Sequence, residues 1–171
     1  MTVPDTRPSR ALAHVATDGT RVLLLGLDEL GDDCWAVLAA AGIEVARVAD
    51  VPDAIRALRE PVPQLVIADA AQGGALTAAV RQDPALASAH VVLCAALDAP
   101  DELRAALDAG ADDVMRVPFE PEVLIARVVA GLRAARLREN EALLRSLIDN
   151  IPGAVYRCAC DADWTMQYLS D

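Results

Sequence analysis

The chain has 171 residues, 54% of them hydrophobic, and a formal net charge of −11. That is enough apolar material for one domain of ordinary size plus extra segments, so disorder is not the default. The acidic balance argues against nucleic acid and anionic membrane as partners, because both demand a basic surface. All fifteen basic residues are arginine, which removes a P-loop lysine and a Schiff-base lysine from consideration. No apolar run approaches the roughly 20 residues needed to span a bilayer, no signal peptide opens the chain, and the expected location is the cytoplasm. The cysteines Cys34, Cys94, Cys158 and Cys160 accordingly read as free thiols. Cys158 and Cys160 would share one face of a strand, but two ligands do not make a zinc site, and the pair reads as structural.

In chain order, residues 1–20 carry Pro4, Pro8 and Asp18-Gly19 with little periodicity and read as a flexible tail. Val22 to Leu27 is a buried-strand pattern. Asp28 to Gly42 places Leu30, Cys34, Val37, Leu38 and Ala41 at helical spacing, with Gly42 as the stop. Ile43 to Val48 is a strand, and Pro52 to Arg59 a short helix with proline at its start. Pro63 to Asp69 then forms a fully apolar strand that ends on a single carboxylate, followed by a helix over Ala75 to Gln82. A strand over His90 to Ala96, a helix over Asp101 to Ala109, a strand over Val114 to Val117 and a long helix from Pro121 complete the alternation. Five strands alternating with five helices predict an α/β fold, a doubly wound parallel sheet. Right-handed crossovers and short loops favour the flavodoxin-like order 2-1-3-4-5 with an extended C-terminal helix. Ligands gather at the C-terminal edge of such a sheet, which makes Asp69 the central candidate.

Two segments carry a resemblance. Ala109-Gly110-Ala111-Asp112-Asp113-Val114-Met115-Arg116-Val117-Pro118-Phe119-Glu120-Pro121 resembles the end of helix 4, strand 5 and the Pro-Phe turn of response-regulator receiver domains. The strand ending at Asp69 is similar to that family's phosphoacceptor strand. The resemblance covers about residues 21–135. It implies two-component (phosphorelay) signalling, Asp69 as phosphoacceptor, a histidine kinase or other signalling protein as partner, no enzymatic output, and Mg²⁺ only if Asp69 is phosphorylated.

The chemistry implied by the family is degenerate here. The acidic pair that holds Mg²⁺ falls at Gly26 and Leu27, leaving Asp28 and Asp69 as the metal-ligand candidates. The hydroxyl position matches Ala95, the aromatic switch position Val114, and the lysine position Val117. Each missing charge-stabilising donor costs about 10²–10³ in rate, so the expectation is a phosphorylation-independent pseudo-receiver. Its output would then be packing and partners. The family's usual pairing face would include Arg104, Asp108, Asp112, Arg116 and Arg127, mixed in sign and suited to reciprocal pairs in a homodimer.

The last helix runs past the length a receiver needs. Leu137, Asn140, Leu144, Leu147 and Ile151 keep 3-4-3-4 spacing, a short coiled-coil seam with one polar position. Three of the five aromatics, Tyr156, Trp164 and Tyr168, then fall in the last sixteen residues, in a stretch that looks like the opening of a PAS sensory domain. One hairpin cannot bury a core, so the expectation is the N-terminal part of a longer signalling protein. The expected organisation is a tail over 1–20, a receiver-like domain over 21–133, a helical linker over 134–150 and the start of a PAS domain over 151–171. A working receiver phosphorylated on Asp69 is the alternative. A flavodoxin-like enzyme or nucleotide binder is weakest, because no Gly-rich phosphate loop follows the first strand.

Overall fold

A computed structural model describes residues 10–16, 19–27, 32–59, 61–96, 100–152, 156–161 and 165–169. The chain divides into two compact units, Met1–Arg136 and Leu137–Asp171.

The first unit is built on five parallel strands: β1 (Arg21–Leu25), β2 (Glu44–Val48), β3 (Leu65–Asp69), β4 (His90–Ala96) and β5 (Asp113–Val117), in the order β2-β1-β3-β4-β5. This is the expected order. The three central strands are buried along nearly their whole length, as a sheet covered on both faces requires, whereas edge strand β2 has no fully buried residue. Helices α2 (Asp32–Ala40), α3 (Val51–Ala57), α4 (Ala70–Gln82) and α5 (Pro100–Asp108) make the crossovers, and α6 (Pro121–Asp149) follows β5. Side chains alternate between two apolar layers. Leu24, Ile67, Val92 and Met115 face one layer with Leu124, Val128 and Leu132 of α6. Leu23, Leu25, Val66, Val91 and Leu93 face the other with Leu76 and Val80 of α4.

Three expectations are corrected. The tail is not loose throughout, because Arg10–Val15 forms helix α1, with Leu12 and Val15 buried in the α6-side layer. Its burial depends on residues more than a hundred positions away, which local pattern does not encode. Helix α4 begins at Ala70 rather than Ala75, since the Asp69 side chain accepts a hydrogen bond from the Ala71 N–H and caps it. Ala70 and Ala71 then propagate the helix through Gly73 and Gly74. At the far end α6 stops at Asp149, so Ile151 lies beyond the helix. There the backbone tightens, with the Ile151 N–H donating to the Ile148 carbonyl.

The second unit begins with the end of α6, where Leu137, Leu144 and Leu147 are 61%, 59% and 56% exposed. It ends in an antiparallel hairpin of β6 (Tyr156–Cys158) and β7 (Met166–Leu169), pairing Tyr156 with Leu169 and Arg157 with Tyr168. Among the described residues no helix is long and apolar enough to cross a membrane.

Candidate functional site

Parallel strands of similar length bring their C-terminal ends to one edge of the sheet. There the structure forms a cavity of about 750 Å³, lined by Gly26, Leu27, Ala49, Asp69, Ala71, Gln72, Cys94, Ala96, Glu102, Val117 and Pro118. Four sequence-derived positions, Gly26, Leu27, Asp69 and Val117, are therefore brought together.

Asp69 ends β3 and is half-buried. Its Oδ1 accepts the Ala71 N–H at 3.1 Å, so the carboxylate that would receive a phosphoryl group also caps α4. Gly26 has φ +68, in the left-handed region that glycine adopts without strain. A Cβ there would lie 2.8 Å from Gln72 Nε2. The chain turns sharply at this point, and Leu27 folds down into the α6-side core at 9% exposure.

Ala95 and Val114 do not line the cavity. Ala95 is 1% exposed, and Val114 packs in the α4-side layer. The sheet register instead sets Cys94 directly opposite Asp69, and Cys94 is the third side chain of the site. Burial first, and then the Asp69 carboxylate, push its thiol up from 9.0 to about 12. It stays protonated at neutral pH and is no nucleophile there. Cys94, Gln72 and Glu102 were not legible in the sequence. Cys94 read only as one more apolar residue of β4, and Glu102 enters from the first turn of α5.

A Mg²⁺ ion needs several oxygen donors in octahedral array. Gly26 has no side chain and Leu27 is a buried hydrocarbon, so the described residues at the end of β1 do not fit it. Asp28 lies outside the described residues. Among those described, no group of three His, Cys, Asp or Glu side chains is placed to hold a metal ion.

The expected pairing face separates into parts. Arg104, Asp108 and Arg116 are exposed. Arg127 Nη1 donates to Asp113 Oδ2 at 2.7 Å. Asp112 is turned inward, a correction to its place on that face. Its Oδ2 accepts from the Val91 N–H at 2.7 Å and from Arg81 Nη2 at 2.6 Å, with His90 Nδ1 at 3.6 Å. A carboxylate with 14% side-chain exposure is stabilised by satisfying a backbone donor and a guanidinium, which a surface pair would not do.

Relatives agree with the fold. The DNA-binding response regulator MtrA of Mycolicibacterium smegmatis is 34% identical over 126 residues, covering 71% of this chain and 52% of that protein. The transcriptional regulatory protein GltR of Pseudomonas aeruginosa is 29% identical over 130 residues, covering 73% and 54%. The chain thus spans about half the length of the curated relatives it matches. Among solved structures, a Chloroflexus aurantiacus protein described as a response regulator superposes with a TM-score of 0.62 at 28% identity, covering 67% of this chain and 98% of that one. The signal receiver domain of a signal transduction histidine kinase from Syntrophus aciditrophicus gives 0.61 at 25% identity, covering 67% and 91%. No family model matches the chain. Sheet order, the strand-end aspartate and these relatives together support a receiver domain of the response-regulator type for the five-stranded unit.

Proposed function

We propose that this receiver domain is a phosphorylation-independent interaction module, a pseudo-receiver, rather than an enzyme or a working phosphoacceptor. The observation that carries the reading is the surroundings of Asp69. Gly26, Leu27 and Val117 line its cavity without a metal ligand or a cation, and the chain holds no lysine. Phosphoryl transfer relies on positioned positive charge, and this cavity's described ionisable side chains are the Asp69 and Glu102 carboxylates and the protonated Cys94 thiol.

The output is association. The exposed Leu137, Leu144 and Leu147 keep the a/d spacing of a parallel seam with Asn140 as its polar position, supplemented by Arg104, Asp108 and Arg116 on the α5–β5 face. The partner is a second copy of the chain, within a signalling protein whose next domain is of PAS type and begins with the β6–β7 hairpin. A net charge of −11 supports protein partners over nucleic acid.

A working receiver is the second reading, supported by the half-buried Asp69 lining an open cavity beside Glu102. Intact mass after incubation with Mg²⁺ and acetyl phosphate, beside Asp69→Asn, separates the two. The pseudo-receiver gives no phosphoryl adduct in either protein. An adduct in the parent that is missing from the variant overturns the proposal and makes Asp28 the first metal ligand to test.

A further inference from the structure

Helix α1 has six residues. Isolated helices shorter than about 12–15 residues are marginal in water, so α1 is helical only because it is docked. Two of its described side chains are buried. Leu12 is fully buried and Val15 nearly so, in a layer shared with Trp35 and Leu38 of α2 and with Leu124, Val128, Val129 and Leu132 of α6. The third anchor comes from 121 positions away: Arg136 Nη2 donates to the Val15 carbonyl at 2.6 Å. That carbonyl is one of the orphan acceptors at the helix's C-terminal end, where a cation also meets the negative end of the helix dipole.

Arg136 is the last residue of the first unit, and α6 continues past it to Asp149. The N-terminal helix therefore grips α6 at the residue where that helix leaves the domain. The same layer is not perfectly satisfied. Trp35 Nε1 is buried without a hydrogen-bond partner among the described residues, a cost that lowers the net stability of this corner relative to the sheet. A six-residue element that cannot hold its helix alone, beside an unsatisfied donor, belongs to the low-stability end of a fold, where local opening occurs before global unfolding.

We propose that α1 is a releasable clasp on α6. Docked, it orders the exit of that helix from the receiver domain. Released, it loosens residues 129–140 while the sheet stays folded. Any event that captures or displaces the N-terminal segment is thereby transmitted to the helix leading into the second unit, whether or not Asp69 is ever phosphorylated.

Hydrogen exchange by mass spectrometry on the full chain tests this with three variants. Val15→Asp places a charge in the layer, Arg136→Gln removes only the guanidinium, and Ala13→Asp, at an exposed position of α1, is the control. The first two should exchange α1 at unfolded rates and residues 129–140 about tenfold or more faster than the parent, with β1, β3 and β4 unchanged. The control should match the parent. Release of α1 with unchanged exchange in 129–140 overturns the proposal, as does a parent in which α1 is already unprotected. Loss of protection across the sheet in both variants also overturns it, because α1 would then belong to the global folding unit.

Discussion

Asp69 Oδ1 accepts the Ala71 N–H at 3.1 Å, so one carboxylate both ends β3 and starts α4. Asp69→Ala should lower unfolding stability by about 0.5–2 kcal/mol through the lost cap. Asp69→Asn keeps an acceptor and should stay close to the parent in a urea titration. Equal loss in both variants would assign the effect to charge rather than to capping.

Two adjacent glycines of α4 should respond oppositely to alanine. A Cβ on Gly73 would overlap Leu93 Cδ2 and lie 3.2 Å from the Ala68 Cβ, whereas one on Gly74 meets nothing within 4 Å. Gly73→Ala should destabilise by about 1–3 kcal/mol through overpacking. Gly74→Ala should stabilise by about 0.5–1 kcal/mol through helix propensity. Thermal melts of the two variants check the reversed signs.

Removing Asp112 should strand a backbone donor. With its Oδ2 gone, the Val91 N–H loses its partner at 2.7 Å and Arg81 loses its carboxylate at 2.6 Å. Asp112→Ala should cost about 1–3 kcal/mol in chemical denaturation without changing the sedimentation coefficient, since the side chain serves the fold and not a surface.

The Cys94 thiol is held up at about 12, above its unfolded value, so the folded chain retains a proton that the unfolded chain releases. The contribution of Cys94 to stability is therefore flat below about pH 9 and falls between pH 9 and 12, by up to about 1.4 kcal/mol per pH unit. Cys94→Ala should flatten that alkaline limb. At pH 8, iodoacetamide should label Cys94 in the native chain far more slowly than the exposed Cys160, because burial both shields the Cys94 thiol and keeps it protonated.

The seam on α6 predicts a change in association without a change in folding. Leu144→Arg and Leu147→Arg alter side chains that are more than half exposed. Light scattering should report a shift from dimer to monomer, while the melting of the first unit stays within about 0.5 kcal/mol of the parent. A parent that is monomeric at high concentration would remove the seam from the proposed function.

What the sequence determined by itself was the order of elements and hence the sheet. Val22–Leu25, Leu65–Ala68 and Val91–Ala95 are apolar runs, the pattern imposed on strands covered on both faces. Gly42 and Gly110, both at positive φ, mark helix ends by local chemistry alone. Asp69 at a strand end, and the residue types at Gly26, Leu27, Ala95 and Val117, were legible for the same reason. Tertiary structure decided everything that depends on register or on distant partners. Cys94 faces Asp69, and Ala95 does not line the cavity, because β3 and β4 pair in one particular register. Asp112 left the surface because Arg81 and the Val91 amide, 31 and 21 positions away, turn it inward. Arg10–Val15 became a helix because Arg136 and a core layer built from α2, the sheet and α6 receive it. Patterning is a local property of residue type, whereas register and docking are free-energy differences among non-local contacts, which only the folded chain brings together.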